Sequence, residues 1–246
     1  MPKRQVLAIA AAALTLAATG GAASASALSH GTPAPASHHA AAAATLGPTA
    51  AGPGDPPGPG CGFTKAIPFD RYKGLPDFTK KRAARGYLAL LHTTQGLIVV
   101  RALTTKAPCT TFSFRFLAQR NYFTGTHCHR LTVLQIFVLQ CGDPTGTGSG
   151  APGYAFKNEN LAGATYPAGT VGMANAGPDT NGSQFFFCWK ASPRIPPNYT
   201  PFGVVIEGMN VLRKIAAAGD DSQNGPGDGY PRRFVEFRHI KIIFTP

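Results

Sequence analysis

Two side chains in one short stretch, Gln184 and Phe186, are the first candidates for chemistry in this chain. The stretch covers residues 172–187 and reads GMANAGPDTNGSQFFF. Its middle is rich in turn-forming residues, and the aromatic run that follows is typical of a short strand. Because side chains alternate across a strand, Gln184 and Phe186 share one face. An amide beside an aromatic ring suits a peptide-binding surface. The alternative is a glycine-rich turn that leads into a core strand.

Further short motifs precede and follow this stretch in a fixed order. They are His129-Arg130, FVLQCGD at residues 137–143, PTGTG at 144–148, Gly153-Tyr154, Glu159-Asn160, YPAG at 166–169 and PFG at 201–203. Together with the central stretch they resemble the cyclophilin family of peptidyl-prolyl cis-trans isomerases, in family order from about residue 86 to the C-terminus. An ordered series of motifs is far more specific than one short pattern.

The resemblance implies catalytic roles for Arg130 and Gln140. Rotation about a prolyl bond breaks amide resonance against a barrier of about 18–20 kcal/mol, and the twisted proline nitrogen regains a lone pair. A fixed cation that donates to this nitrogen stabilises charge that appears only in the transition state. Arg130 matches the family's catalytic arginine, and we expect its planar guanidinium to be held by neighbours such as Gln140. No cofactor and no metal are expected.

The other matched positions imply a substrate-binding pocket with three parts. These are an apolar pocket for the proline ring, groups that hold the residue before proline, and a far wall. In that order, the implied residues are Phe137, Val138 and Phe186; Ala174, Asn175 and Gln184; and Ile195 and Tyr199. For each apolar residue the alternative is an ordinary core position.

The chain also departs from the usual family pattern. The spacing from Arg130 to Phe137 is two residues longer, and Val138 and Cys141 stand where Met and Gly are usual. Arg194 occupies a position that is often Trp, which weakens the expectation of tight binding to cyclosporin. The catalytic arginine is retained, so we expect activity to survive these changes.

The N-terminal region predicts export. Residues 1–27 combine a positive start, an apolar run and an A-x-A pattern, which is typical of a secretory signal peptide. The apolar run is shorter than the roughly 20 residues of a membrane span, although an uncleaved anchor is the alternative. Residues 28–60 are rich in Ala, Pro and Gly and predict a disordered linker. Residues 61–85 are interpreted as an N-terminal extension and residues 86–246 as the isomerase domain.

Five cysteines follow the linker: Cys61, Cys109, Cys128, Cys141 and Cys188. In an exported chain cysteines can oxidise, and an odd number leaves at least one of them free or paired with another molecule. Cys128 and Cys141 flank a predicted hairpin and could face each other across adjacent strands. A Cys61–Cys109 bridge is a second hypothesis.

Basic side chains exceed acidic ones, and the formal net charge is +12. Such a surface attracts polyanions, of which nucleic acid is the least expected outside the cytoplasm. We therefore expect no nucleic-acid partner, weak association with an anionic envelope surface at most, and a monomer. The predicted location is extracytoplasmic, either secreted or associated with the cell envelope. The favoured interpretation of the charge is a solvated basic face with no dedicated partner, and weak envelope association is the alternative.

The pattern of short elements predicts an all-β fold. Residues 87–92 and 97–103 indicate an antiparallel hairpin, residues 108–121 and 209–217 two helices, and residues 234–244 a closing strand. Many short strands with two helices point to a barrel or a sandwich. The family resemblance implies a closed eight-stranded antiparallel β-barrel with a helix at each end.

Three functional hypotheses follow. The first is an exported prolyl isomerase that acts on Xaa-Pro segments of unfolded or flexible polypeptides and assists the folding of exported proteins. The second is a cyclophilin-like module or holdase that binds Pro-containing chains without significant turnover. The third is an adhesin-like basic protein that works through its charged surface. The matched catalytic positions favour the first.

Overall fold

The computed structural model describes residues 60–246. The predicted signal peptide (1–27) and all but the last residue of the predicted linker (28–60) lie outside the described residues. Within the described part of the chain, no helix combines the length and apolar character needed to cross a membrane.

Eleven strands and three helices make up the described part of the chain. In chain order they are β1 (Thr64–Phe69), α1 (Lys80–Ala83), β2 (Tyr87–Thr93), β3 (Gly96–Ala102), α2 (Pro108–Gln119), β4 (Arg130–Thr132), β5 (Val138–Cys141), β6 (Pro152–Ala155), β7 (Thr170–Met173), β8 (Phe185–Cys188), β9 (Pro201–Glu207), α3 (Met209–Ala217), β10 (Asp228–Gly229) and β11 (Phe237–Phe244). The β2–β3 hairpin and the two long helices confirm the sequence predictions for those elements.

Nine strands form one curled antiparallel sheet in the order β10-β4-β5-β8-β7-β9-β3-β2-β11. The expectation of a closed eight-stranded barrel is therefore corrected, because the sheet has nine strands and is open between β10 and β11. The extra strand arises where Asp228 and Gly229 pair with Thr132 and Leu131. A two-residue strand in a glycine-rich loop leaves no periodic signal in the sequence.

The two ends of the sheet approach each other without forming a continuous ladder. An isolated bridge joins His127 to Glu236. Backbone hydrogen bonds from Cys128 N–H to the Val235 carbonyl, and between segments 125–126 and 237, reinforce this contact. The segment before β4 thus lies against the segment before β11, and the sheet curls around a single main core.

Alternation within β8 divides its side chains between two apolar clusters. Phe185 and Phe187 belong to the main core, whereas Phe186 and Cys188 belong to a second, smaller cluster. All four side chains are buried because both faces of this central strand are covered. The predicted alternation of the aromatic run is confirmed.

Helix α2 packs against β9 and β11, and its buried side chains belong to the main core. It begins with Pro108 in its first turn, where a proline costs no intrahelical hydrogen bond. The Glu159 carboxylate accepts hydrogen bonds from the backbone N–H groups of Cys109 and Thr110 at 3.0 and 2.9 Å. A carboxylate at this position satisfies orphan donors and complements the positive end of the helix dipole.

The N-terminal extension is ordered and attached to the domain at several places, which include a strand pairing and a disulfide. β1 pairs with β6 in a separate two-stranded sheet. A disulfide joins Cys61 to Cys109 in the first turn of α2, and a second joins Cys128 to Cys141. Both hypothesised bridges are confirmed, and Cys188 is free and buried.

Candidate active site

Arg130, Gln140 and Phe186 lie in one row across three neighbouring strands. Arg130 on β4 is paired with Gln140 on β5, which is paired with Phe186 on β8. Residues directly opposite each other in an antiparallel sheet project from the same face. The row therefore places a cation, an amide and an aromatic ring side by side.

The Arg130 guanidinium is held by a carboxylate that the sequence did not predict. Arg130 Nε and Nη2 donate to the two carboxylate oxygens of Asp228 at 2.8 and 2.5 Å. The side chains are partly buried, with 19% and 24% of their surfaces exposed. A two-point ion pair of this kind is stronger and more directional than a neutral hydrogen bond.

Gln140 does not hold Arg130, contrary to the expectation from the sequence. Its Nε2 donates to Gln184 Oε1 at 2.9 Å. Gln184 Nε2 in turn donates to the carbonyls of Gly148 and Gly150. The two glutamines thus connect the β5–β8 row to the loop before β6, and both amino hydrogens of Gln184 are used within the protein.

Beside the row, a second apolar cluster is formed by five buried side chains, with four partly buried ones packed against it. The apolar cluster consists of Val138, Tyr166, Phe186, Cys188 and Ile195, and its partly buried neighbours are Ile136, Ala164, Ala174 and Tyr199. Five of the residues predicted to bind substrate therefore come together here: Val138, Ala174, Phe186, Ile195 and Tyr199. Burial raises the pKa of the Cys188 thiol to about 12, so it is neutral.

Phe137 lies apart from this apolar cluster, and its place in the proline pocket stays a prediction. Its ring contacts Trp189 edge to face, with 5.2 Å between ring centroids, and Lys190 Nζ lies 4.4 Å from its centroid. Val138 follows it directly and points to the opposite side of the chain. Ile136, on the same side as Val138, packs against the apolar cluster instead.

Phe186 is fixed from two sides. Its ring packs edge to face on Tyr199 at 5.8 Å, and Tyr166 lies at 6.1 Å. The Tyr166 hydroxyl donates to the Tyr199 carbonyl at 2.7 Å, which holds the far wall in place. On the other side the ring covers Gly172, where an added Cβ would collide with it.

Within the described residues, some backbone polar groups at residues 174–175, beside the apolar cluster, make no hydrogen bond. Ala174 N–H donates to the Gln184 carbonyl at 2.9 Å. Within the described residues, the backbone N–H and carbonyl of Asn175 make no hydrogen bond, whereas its side-chain amide donates to the Asn198 carbonyl. The Asn175 backbone can therefore pair with an extended peptide.

A polar cavity of about 390 Å³ adjoins the row at Arg130. Its walls come from β4 and β5, from the loop at residues 147–149 and from the loop at residues 223–230. His129 lines it with 6% of its surface exposed, and neither ring nitrogen has a hydrogen-bond partner. Burial lowers the pKa of His129 to about 4, against the opposing attraction of Asp143.

Three contributors were not foreseen from the sequence: Asp228, Ile136 and Tyr166. Tyr166 is the first residue of the YPAG motif, and this motif is the sequence signal from which its role could have been predicted. Ile136 could have been found from strand alternation, because it has the same parity as Val138. Asp228 lies in a glycine-rich loop 98 residues from Arg130, and nothing in the local sequence connects the two.

The row and the apolar cluster lie in a region that this chain shares with a known protein family. The family model for cyclophilin type peptidyl-prolyl cis-trans isomerases matches residues 88–232, which is more than half of the chain and includes the row and the apolar cluster. The chain belongs to this family. Its described fold is accordingly a cyclophilin fold, mostly β with a curled antiparallel sheet.

Related cyclophilins include two mycobacterial proteins named probable peptidyl-prolyl cis-trans isomerase B. The Mycobacterium tuberculosis protein is 46% identical over 164 residues, covering 61% of this chain and 52% of its own length. The Mycobacterium leprae protein is 41% identical over 168 residues, covering 63% and 56%. The chain thus spans about half the length of these relatives.

A solved structure shares the fold. A cyclophilin type peptidyl-prolyl cis-trans isomerase from Cryptosporidium parvum superposes with a TM-score of 0.58 at 27% identity, covering 65% of this chain and 99% of its own. A second crystal structure of that protein, determined in the presence of the dipeptide Ala-Pro, has a TM-score of 0.56 at 26% identity, covering 63% and 98%.

Proposed function

We propose that this cyclophilin catalyses cis-trans isomerisation of Xaa-Pro bonds in polypeptides. The observation that carries the proposal is the row of Arg130, Gln140 and Phe186 on one face of the sheet, beside the apolar cluster. A cation and an aromatic surface are the two groups that a prolyl bond requires, one for the nitrogen and one for the ring. The names of the mycobacterial relatives, and the Ala-Pro dipeptide used with the solved cyclophilin, support this choice of substrate.

The mechanism is non-covalent. The proline ring packs on Phe186 and the neighbouring apolar side chains, and the backbone of Asn175 pairs with the residue before proline. Anchoring both sides of the bond leaves one torsion free, which is catalysis by positioning. As the amide twists, the Arg130 guanidinium donates to the proline nitrogen, whose lone pair exists only in the twisted state.

We further propose that the protein works outside the cytoplasm, secreted or associated with the envelope, on exported polypeptides. The predicted signal peptide supports export, and two disulfides support an oxidising compartment. We propose a monomer without cofactor. A basic surface that associates weakly with anionic envelope polymers would keep the enzyme near emerging clients.

The decisive experiment measures isomerisation of an Xaa-Pro test peptide by the purified protein and its Arg130→Ala variant. We expect the variant to lose about 10²–10³-fold in kcat, the range for removal of one preorganised donor. Arg213→Ala, which removes an exposed arginine on α3, is the matched control and should keep full activity.

Two results would contradict the proposal. A folded wild-type protein with no rate enhancement would exclude the enzyme, and saturable peptide binding without turnover would favour the holdase. Equal activity of wild type and Arg130→Ala would exclude the assigned role of Arg130 while leaving an isomerase.

A further inference from the structure

The loop at residues 220–231, here the Asp228 loop, is braced on both sides of Asp228. A bridge between Asp220 and Pro231 closes its base. Inside it, the Asp221 carboxylate accepts from the N–H groups of Gln223 and Tyr230 at 3.1 and 2.8 Å. Because these contacts define the shape of the loop, a side chain on it is held at a fixed position.

Two further contacts fix the loop to the rest of the site. The Tyr230 hydroxyl donates to the carbonyl of Gly146, which directly precedes the loop at residues 147–149, at 3.1 Å. Asp228 itself pairs with Thr132, two residues along β4 from Arg130. The Asp228 carboxylate is thus set beside Arg130 by backbone pairing and not by its own side chain alone.

Within the described residues, the Arg130 guanidinium is held by hydrogen bonds to Asp228 alone. In the part of the chain from residue 60 onwards, Arg130 makes no side-chain hydrogen bond other than the two to Asp228. Gln140, its neighbour in the row, is occupied by Gln184. The carboxylate engages the Nε–Nη2 edge, so the hydrogens on Nη1 stay available to another acceptor.

We propose that Asp228 is a positioning residue for the isomerisation, which holds the Arg130 guanidinium in the orientation that the twisted prolyl amide requires. This inference rests on the proposed function. A guanidinium on a flexible stem would otherwise lose rotamer freedom as it engages the proline nitrogen. Asp228 restricts the rotamers of the Arg130 side chain before the substrate binds. The ion pair therefore lowers the free energy of the transition state and leaves peptide binding in the ground state almost unchanged.

The opposite role makes a different prediction. A carboxylate on the guanidinium also offsets its positive charge, and if this effect dominated, removal of Asp228 would increase the rate. The two roles are therefore separated by the sign of the change in kcat.

The test measures kcat, KM and thermal unfolding for Asp228→Ala, Asp228→Asn and Asp228→Glu. We expect Asp228→Ala to lower kcat about tenfold, within the hundredfold that a 1 Å misplacement can cost, with KM changed less than about twofold. Asp228→Glu should recover part of the rate. Asp77→Asn makes the same charge change at an exposed ion pair with Arg82 and should keep wild-type kinetics.

A double-mutant cycle with Arg130→Lys shows whether Asp228 acts through the guanidinium. In that background Asp228→Ala should have little further effect on kcat, whereas a purely structural role would lower it by the same factor as before. Asp221→Asn, which weakens the loop without touching Arg130, should affect kcat less than Asp228→Ala does.

An NMR measurement keeps this inference separate from the proposed function. The Arg130 Nε–H signal and the rotation about its Nε–Cζ bond should report a fixed guanidinium in the wild type and a freely rotating one in Asp228→Ala, whether or not the protein turns over substrate. An unchanged or higher kcat in the folded variant, or a freely rotating guanidinium in the wild type, would overturn the inference.

Discussion

His129 is a basic side chain in a place that does not allow it to carry a charge. It lies directly before Arg130, is 6% exposed and has no hydrogen-bond partner on either ring nitrogen. Its low pKa, about 4, means that it is neutral at physiological pH. A second cation next to Arg130 is thereby avoided, although the arrangement makes the fold sensitive to acid.

We predict that stability falls as the pH is lowered from about 7 to about 4. In this window the unfolded chain protonates His129 with an ordinary pKa near 6.5 while the folded chain does not, so protons favour unfolding. The contribution is at most about 3 kcal/mol, from 1.36 kcal/mol per pKa unit. Urea titrations of wild type and His129→Asn across this range measure it.

The His129→Asn variant should show a flatter dependence of unfolding free energy on pH. Equal slopes in wild type and His129→Asn would show that His129 is protonated as easily in the folded state as in the unfolded one.

A second prediction separates Ile136 from its neighbour Phe137. Ile136 packs against the apolar cluster, whereas Phe137 packs on Trp189. Ile136→Ala should raise KM for an Xaa-Pro peptide about five- to tenfold, which corresponds to roughly 1 kcal/mol of lost apolar contact. Phe137→Ala should lower the unfolding temperature with little change in KM. A larger increase in KM for Phe137→Ala than for Ile136→Ala would show that Phe137 lines the proline pocket.

At the scale of elements, the Cys128–Cys141 disulfide joins the segment directly before β4 to β5, and these two strands carry Arg130 and Gln140. Cys128 lies two residues before Arg130, and Cys141 directly follows Gln140. The link therefore fixes the strand pairing on which the relative positions of Arg130 and Gln140 depend. The Cys61–Cys109 disulfide joins the extension to α2 and touches no residue of the row.

We predict that the two disulfides affect different properties. Replacing Cys128 and Cys141 by Ser should cost about 3 kcal/mol of stability, from a 13-residue separation, and also lower kcat severalfold. Replacing Cys61 and Cys109 should cost about 4 kcal/mol, from a 48-residue separation, while kcat stays near wild type. Denaturant unfolding and peptide kinetics below the unfolding midpoint check both, and equal kcat in the two variants would contradict the assignment.

The elements that the sequence predicted well are those whose signal is local. In the β2–β3 hairpin, β2 has alternating burial over its seven residues, and α2 and α3 have helical spacing. β1, β6 and β10 were missed because their order depends on partners: β1 on β6 and the disulfide at Cys61, and β10 on β4. Edge pairing of short segments is decided by tertiary context rather than by pattern.

The same distinction applies to the candidate site. Arg130, Gln184 and Phe186 were found from motifs, and their shared face follows from alternation. Their hydrogen-bond partners were not predictable, because Gln140 could contact either the arginine or the second glutamine with similar geometry. The choice depends on Asp228. Because its carboxylate accepts hydrogen bonds from the guanidinium, Gln140 is free to donate to Gln184.

At the scale of the whole molecule, the net charge of +12 has a measurable consequence. We predict that the protein binds vesicles containing anionic lipid at low salt and is released by about 0.5 M salt, because the screening length falls from about 10 Å at 0.1 M to 3 Å at 1 M. Co-sedimentation with anionic and neutral vesicles measures it. Glutamate in place of the exposed Lys80 and Lys81 should weaken binding, whereas Arg130→Ala should not.

Binding that persisted in high salt, or that was equal for neutral vesicles, would exclude this electrostatic mechanism. Loss of binding in Arg130→Ala alone would indicate that the lipid binds at the row of Arg130, Gln140 and Phe186 instead of the basic surface.

The Cys61–Cys109 bridge also decides how the protein responds to mechanical tension. A force applied to the chain ahead of Cys61 passes through the two sulfur atoms into α2, whose phenylalanines are buried in the main core. The 47 residues between the cysteines include β1, β2 and β3 and form a covalently closed loop. The force passes through the disulfide and does not extend this loop. An enzyme pulled from its N-terminal end would therefore resist being unzipped one strand at a time.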